Sequence, residues 1–269
     1  MNLFRPIVLG IIQGATEFLP VSSSGHLVIL PAIFKWQEPT LSFTMSLHMG
    51  TFLSVLVYYF KDVINLFKGF FAMFKKLKTP EELFYLKLFW LLLVAFIPAA
   101  LVGVFLKSRV ETTFSDPHLV SYFFLFTAFI LFLASINFRK HRETLQKASF
   151  KHAITIGLMQ IFSLFPGVSR SGMTISGGVF SGLKREDAAR FSFLLSIPTI
   201  FGAGIFELKD ALNVSVSQAT GKEIFIGFLF SFIVGFISIK FFFALIKKTK
   251  FYIFALYCLV LALIGLFFI

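Results

Sequence analysis

Six apolar runs, 41–60, 85–106, 118–136, 188–206, 223–245 and 251–269, each reach about the 20 residues that a helix needs to cross a hydrocarbon layer about 30 Å thick. No soluble fold of 269 residues has an interior that could hide all of them. Composition agrees: 57% of residues are hydrophobic and only 14% charged, with 41 phenylalanines and a mean hydropathy of +0.88. The chain is read as an all-α integral membrane protein. Two further apolar stretches, 7–34 and 152–182, are long enough to cross but are broken in the middle. The first carries Pro20, the run Ser22-Ser23-Ser24-Gly25 and Pro31; the second carries Pro166, Gly167 and Ser169 to Gly172. Each half is then too short to span, so both are expected to be re-entrant helical hairpins, which are tolerated only where the broken backbone faces protein or a wet cavity.

The two breaks repeat each other. GIIQGATEFLPVSSSG at 10–25 and GLMQIFSLFPGVSRSG at 157–172 share Gly10, Gln13, Val21, Ser22, Ser24 and Gly25 with Gly157, Gln160, Val168, Ser169, Ser171 and Gly172, without a gap. Basic residues set the orientation: loops 61–84, 137–151, 181–190 and 245–251 hold 16 of the 25 lysines and arginines, against 6 in 1–6, 35–40, 107–117 and 207–223. The first set is expected on the cytoplasmic side. The first hairpin then enters from outside and the second from inside, with three spans after each. The expected architecture is six transmembrane helices plus two re-entrant helical hairpins in an inverted-topology repeat: 1–136 as the first unit, 137–151 as a cytoplasmic linker and 152–269 as the second, with a site near the midplane between them. Gln13 and Glu17 interrupt what could have been a signal core, so the N-terminus is read as mature structure. The lone Cys258 sits in the last span and is read as packing. A net charge of +12 is assigned to contact with anionic lipids of the inner leaflet rather than to nucleic acid, because the basic residues follow membrane sidedness.

Ionisable groups inside apolar segments are costly, so Glu17, His26 and Arg170 are the first candidates for function. Gln13 and Glu17 lie four apart on one helical face, with Gly10 and Gly14 on the same side allowing close backbone approach. Pro20 ends that helix, and the serines after it cap the next, whose N-terminus favours an anion. The second hairpin repeats the construction with Arg170 in place of the central serine. Two such N-termini, with hydroxyls, one arginine, one histidine and one carboxylate, suit a phosphate group. Arginine grips phosphate bidentately, serine or histidine can act as nucleophile or proton carrier, and glutamate can act as base, orient a partner or hold a divalent cation. His48, in a span near the outer side, is read as a packing or supporting group.

These motifs resemble those of the undecaprenyl pyrophosphate phosphatases, the bacitracin-resistance proteins. Gln13, Glu17 and Phe18-Leu19-Pro20-Val21-Ser22-Ser23-Ser24-Gly25-His26 match one signature of that family; Pro166, Gly167, Ser169, Arg170, Ser171 and Thr174 match the other. The resemblance implies hydrolysis of undecaprenyl diphosphate to undecaprenyl phosphate and inorganic phosphate, recycling the cell-wall lipid carrier in the bacterial plasma membrane, with Mg2+ or Ca2+ assisting at Glu17. Arg170 would clamp the diphosphate, helped by Gln13, Ser22, Ser24, Gly25, Ser169, Ser171 and Thr174. Ser23 or His26 would be the nucleophile, the preferred order being Ser23 attacking with His26 as its acid/base partner. Gln13 takes the neutral option where the family can carry glutamate, leaving Glu17 as the sole carboxylate of the pair. The expected active site opens to the external face; a homodimer is left open. The rival reading is a transporter or flippase of a polyprenyl phosphate using the same anion site.

Overall fold

The computed structural model describes residues 3–136, 142–213, 219–246 and 251–269, with 205–213 as helical backbone alone. Its helices are α1 (Phe4–Phe18), α2 (Ser23–Phe34), α3 (Leu41–Tyr58), α4 (Phe60–Ala72), α5 (Pro80–Thr113), α6 (Pro117–Ile136), α7 (Phe150–Ile161), α8 (Arg170–Ser181), α9 (Arg185–Asn213), α10 (Gly221–Ile246) and α11 (Tyr252–Phe268). Among the described residues there is no strand, only an isolated parallel bridge between Glu143 and Leu183.

Four helices, α3, α5, α6 and α10, are long and apolar enough to cross a membrane, and α11 is apolar over 17 residues. This is a multi-pass membrane protein. Its side chains are distributed as lipid requires: Phe105, Phe129, Phe241 and Phe267 are exposed, while Thr51, Ser54, Ser121, Thr127, Ser192 and Ser231 are buried. The buried hydroxyls hydrogen-bond mostly to helix carbonyls, for example Ser231 to Leu47 O at 2.7 Å, which keeps them satisfied without water.

The broken segments form two pairs of short helices, α1 with α2 and α7 with α8, of 15, 12, 12 and 12 residues. At about 1.5 Å per residue none of them reaches across about 30 Å of hydrocarbon. α2 starts where Ser22 Oγ accepts from Gly25 N at 3.4 Å, and α8 where Ser169 Oγ accepts from Gly172 N at 3.0 Å, so the duplicated Ser-x-x-Gly builds the same cap twice. α1 packs on α10 and α7 on α5; α3 and α9 pack on each other; α6 packs on α11. The segments 1–136 and 152–269 therefore interleave instead of forming separate bodies.

Two stretches differ from the sequence reading. The loop expected over 61–84 contains α4, tied to α9 and α5 by Asp62, which accepts from Arg190 and, at 3.0 Å, from Tyr85 Oη. The span expected at 85–106 lengthens to α5, whose start is fixed by the reciprocal capping box of Thr79 and Glu82. Of the linker 137–151, residues 137–141 lie outside the described residues, as do the basic residues at 247, 248 and 250; a short 3-10 turn at Leu145–Lys147 then leads into α7 at Phe150.

Candidate active site

The tips of the two broken segments meet. Ser171 Oγ, at the start of α8, donates to Leu19 O just after α1 at 3.0 Å, and Gly25 in the first turn of α2 lies so close that a Cβ there would stand 2.8 Å from Gly167 Cα. Gly167 is held at φ +93, a conformation open to glycine, and its carbonyl accepts from Thr127 Oγ1 of α6 at 2.9 Å. Thr127 also accepts from Ser169 N at 3.2 Å, so one hydroxyl on α6 fixes the turn that delivers Arg170.

Across this junction runs a chain of polar contacts. Arg170 Nη2 donates to Glu17 Oε1 at 2.7 Å; Glu17 Oε2 accepts from Ser23 Oγ at 2.5 Å and from Gln13 Nε2 at 2.9 Å. Gln13 Nε2 lies a further 3.1 Å from His48 Nδ1. Gln13, Glu17 and Ser23 are all buried, and the Arg170 side chain is only 12% exposed. A buried carboxylate is tolerable because the guanidinium and two neutral donors occupy three of its roughly four lone-pair sites, leaving one open on Oε1. Two atoms of this set lack a hydrogen-bond partner: Arg170 Nη1 and Gln13 Oε1. A buried guanidinium donor and a buried amide acceptor left without partners are each expensive unless a ligand completes them.

The other expected site residues have other contacts. Ser22 and Ser24 hydroxyls lie 3.4 Å apart, and Ser169 and Ser171 hydroxyls 3.2 Å apart, the same pairing in each hairpin. Thr174 Oγ1 donates to Arg170 O at 2.8 Å and lies 2.6 Å from Ser192 Oγ, so it steadies the first turn of α8. The expected Ser23 and His26 pair is not made. Ser23 Oγ is committed to Glu17, while His26 turns the other way: Nδ1 is 2.6 Å from Ser22 O and Nε2 is 2.7 Å from Tyr257 Oη. The reason is geometric. Ser22 has φ +65, unusual for a residue with a Cβ and costing about 1–2 kcal/mol, and this kink sends Ser23 back toward α1. The sequence reading also passed over Tyr257 and the contact of His48 with Gln13. Only the rule that an ionisable residue in a span needs a partner could have flagged the second.

The fold and this junction define a multi-pass membrane protein with a buried polar cluster, built around the Arg170–Glu17 pair, where two broken segments converge. More particularly, the chain belongs to the family described as Bacitracin resistance protein BacA, which it matches over residues 6–264. It is 43% identical to the undecaprenyl-diphosphatase of Caldicellulosiruptor bescii, over 97% of this chain and 96% of that protein. It is 39% identical to the undecaprenyl-diphosphatase of Methanosphaera stadtmanae (98% and 97% covered) and 37% identical to that of Geotalea daltonii (100% and 99% covered).

Proposed function

We infer that this protein hydrolyses undecaprenyl diphosphate to undecaprenyl phosphate and inorganic phosphate. The observation that carries the reading, beside family membership, is the buried array of Arg170, Glu17 and Ser23 with one guanidinium nitrogen unpartnered. Arg170 Nη1 is the donor for a phosphate oxygen, with the N-termini of α2 and α8 adding their amides and dipoles. Ser23 Oγ attacks the terminal phosphorus as its proton passes to Glu17, with which it already shares a 2.5 Å hydrogen bond. The bond from that phosphorus to the bridging oxygen breaks, undecaprenyl phosphate leaves, and water then cleaves the seryl phosphate to release inorganic phosphate. The base is thus Glu17, not His26. A transporter needs charge matching but gives no reason to bond a hydroxyl to a buried carboxylate, which favours the enzyme.

Glu17 together with the orphaned Gln13 Oε1 offers hard oxygen donors of the kind that Mg2+ or Ca2+ takes along with phosphate oxygens and water, so these residues fit a divalent cation even though no group of three His, Cys, Asp or Glu side chains gathers among the described residues. When bound, the cation supplies positive charge against the diphosphate. The architecture we assign is six spans plus two re-entrant hairpins in inverted repeats, in the plasma membrane, with the site open to the external face and the basic loops on anionic lipid. Supporting it are the matched caps at Ser22 and Ser169 and the matched packing of α1 on α10 and α7 on α5. The test is phosphate release from a panel of polyprenyl diphosphates by detergent-solubilised protein. Release that falls with a chelator and returns with Mg2+ is expected; no release from any diphosphate overturns the reading.

A further inference from the structure

His26 is 2% exposed, one turn into α2, and both of its ring nitrogens are occupied. Ser22 O can only accept, so the nitrogen 2.6 Å from it, Nδ1, carries a proton and donates. Nε2 of the neutral ring is then an acceptor, and the group 2.7 Å away is the Tyr257 hydroxyl. The two rings stack with centroids 5.7 Å apart and planes 11° from parallel, and Phe124 closes the other side edge-on at 5.5 Å. Ser22 O also accepts from His26 N at 3.3 Å, so backbone and side chain of one residue grip the same carbonyl. That carbonyl belongs to the residue held at φ +65, and the residue after it is Ser23.

We propose that Tyr257, on the last helix, is a positioning residue of the active site: its hydroxyl selects the His26 tautomer that clasps Ser22 O, and the clasped kink aims Ser23 Oγ at Glu17. The phenol reaches across 231 positions of the chain to do so, and Tyr257 itself remains half-exposed. His26 is then a brace and transfers no proton. A neighbour that fixes a histidine tautomer is a familiar device in catalytic and metal sites; here the histidine itself acts on backbone. The two hydrogen bonds in series polarise and strengthen each other.

The proposal rests on Ser23 being the nucleophile, and the variants separate the two ideas. Phosphate release by the unaltered protein and its loss in Ser23→Ala report on that reading alone. For the brace, Tyr257→Phe keeps the stacked ring and removes the hydroxyl. It is expected to lower kcat about tenfold with KM within about twofold and the thermal midpoint unmoved. His26→Ala is expected to lose about 100-fold. His26→Asn places an amide N–H near the position of Nδ1, and is expected to recover at least about tenfold over the alanine variant, with the same pH profile as the unaltered protein. Adding Tyr257→Phe to His26→Asn should then cost less than about twofold, because the acceptor that Tyr257 served is gone. Nitrogen NMR on histidine-labelled, unaltered protein should find the His26 ring protonated at Nδ1. An asparagine variant as slow as the alanine one, or a Tyr257→Phe loss equal in both backgrounds, overturns the brace and returns His26 to proton transfer. A ring protonated only at Nε2 overturns it without any variant.

Discussion

Arg170 commits one nitrogen to Glu17 and keeps another buried and unpartnered, a division that only a planar fork can make. Arg170→Lys is therefore expected to lose at least about 100-fold in kcat/KM, or about 2.7 kcal/mol of transition-state stabilisation, in a phosphate-release assay. Near-normal turnover with lysine would make Arg170 a structural partner of Glu17. Glu17→Gln keeps the size of the side chain and one acceptor for Ser23, but it removes the charge that receives the hydroxyl proton. The variant should fold and bind diphosphate, shown by competition with labelled substrate, while hydrolysis falls at least about 100-fold; retained hydrolysis in saturating Mg2+ would reduce Glu17 to a packing role. At this scale the sequence singled out Glu17, His26 and Arg170, each an ionisable group in an apolar segment, and the structure brings two of them, Glu17 and Arg170, into contact. The sequence could not show which atoms face one another. Ser23 and His26, three apart on one helix, looked like a pair; the positive φ at Ser22 and a tyrosine on another helix pull them in different directions, and neither leaves a mark on local spacing.

Helix α1 owes its place to two glycines. A Cβ at Gly14 would sit 2.7 Å from Gly235 N and 2.8 Å from Ser231 O, and one at Gly10 2.8 Å from Gly227 O, all backbone atoms of α10 that cannot turn aside. Gln13 and Glu17 are carried on this helix, so the crossing that brings α1 against α10 also sets the depth of the carboxylate. Gly14→Val should push the helices apart, costing roughly 1–3 kcal/mol or more of stability and most of the activity, read as a lowered thermal midpoint together with lost phosphate release. Gly221, at the start of α10, has nothing within 4 Å of a built Cβ, so Gly221→Ala should leave both measurements in place. If Gly14→Val melts like the unaltered protein, the crossing is not what seats Glu17. The glycine face of α1 was legible from the spacing of Gly10, Gly14, Gln13 and Glu17. Its partner was not, because α10 is an apolar helix whose small residues, Gly227, Ser231 and Gly235, carry no sign of which neighbour they receive. For the same reason α4 was passed over: its lysines at 61 and 68 read as a charged connection, although Gly69 and Ala72 are buried against the structure.

For the molecule as a whole, the long helices of the first half pack on helices of the second: α1 on α10 mirrors α7 on α5, α3 on α10 mirrors α9 on α5, while α3 with α9 and α6 with α11 are pairs that a two-fold axis would map onto themselves. Such exchange of partners is what the two oppositely oriented units we propose would give on sharing one core, and in the structure Arg170 from one broken segment reaches Glu17 of the other. The duplication and the uneven lysines and arginines are what suggest an inverted arrangement; interleaving was hidden, because a repeat in sequence says nothing of which copy supplies the neighbours. The orientation itself makes the sharpest test. Lys76, after α4, and Asp116, between α5 and α6, are both exposed and lie on opposite sides of α5, so a single crossing by α5 puts them in different compartments. Cys258 is buried with its Sγ 3.8 Å from Pro20 O, so Cys258→Ala makes a background with no other thiol at little cost to packing. In intact cells a membrane-impermeant thiol reagent should label a cysteine placed at Asp116 and spare one at Lys76, and the second should become reactive once the membrane is permeabilised. Labelling in the reverse order would turn the protein over and move the mouth of the site to the cytoplasm. Equal labelling of both would mean that α5 does not cross, and the inverted repeat would fall with it.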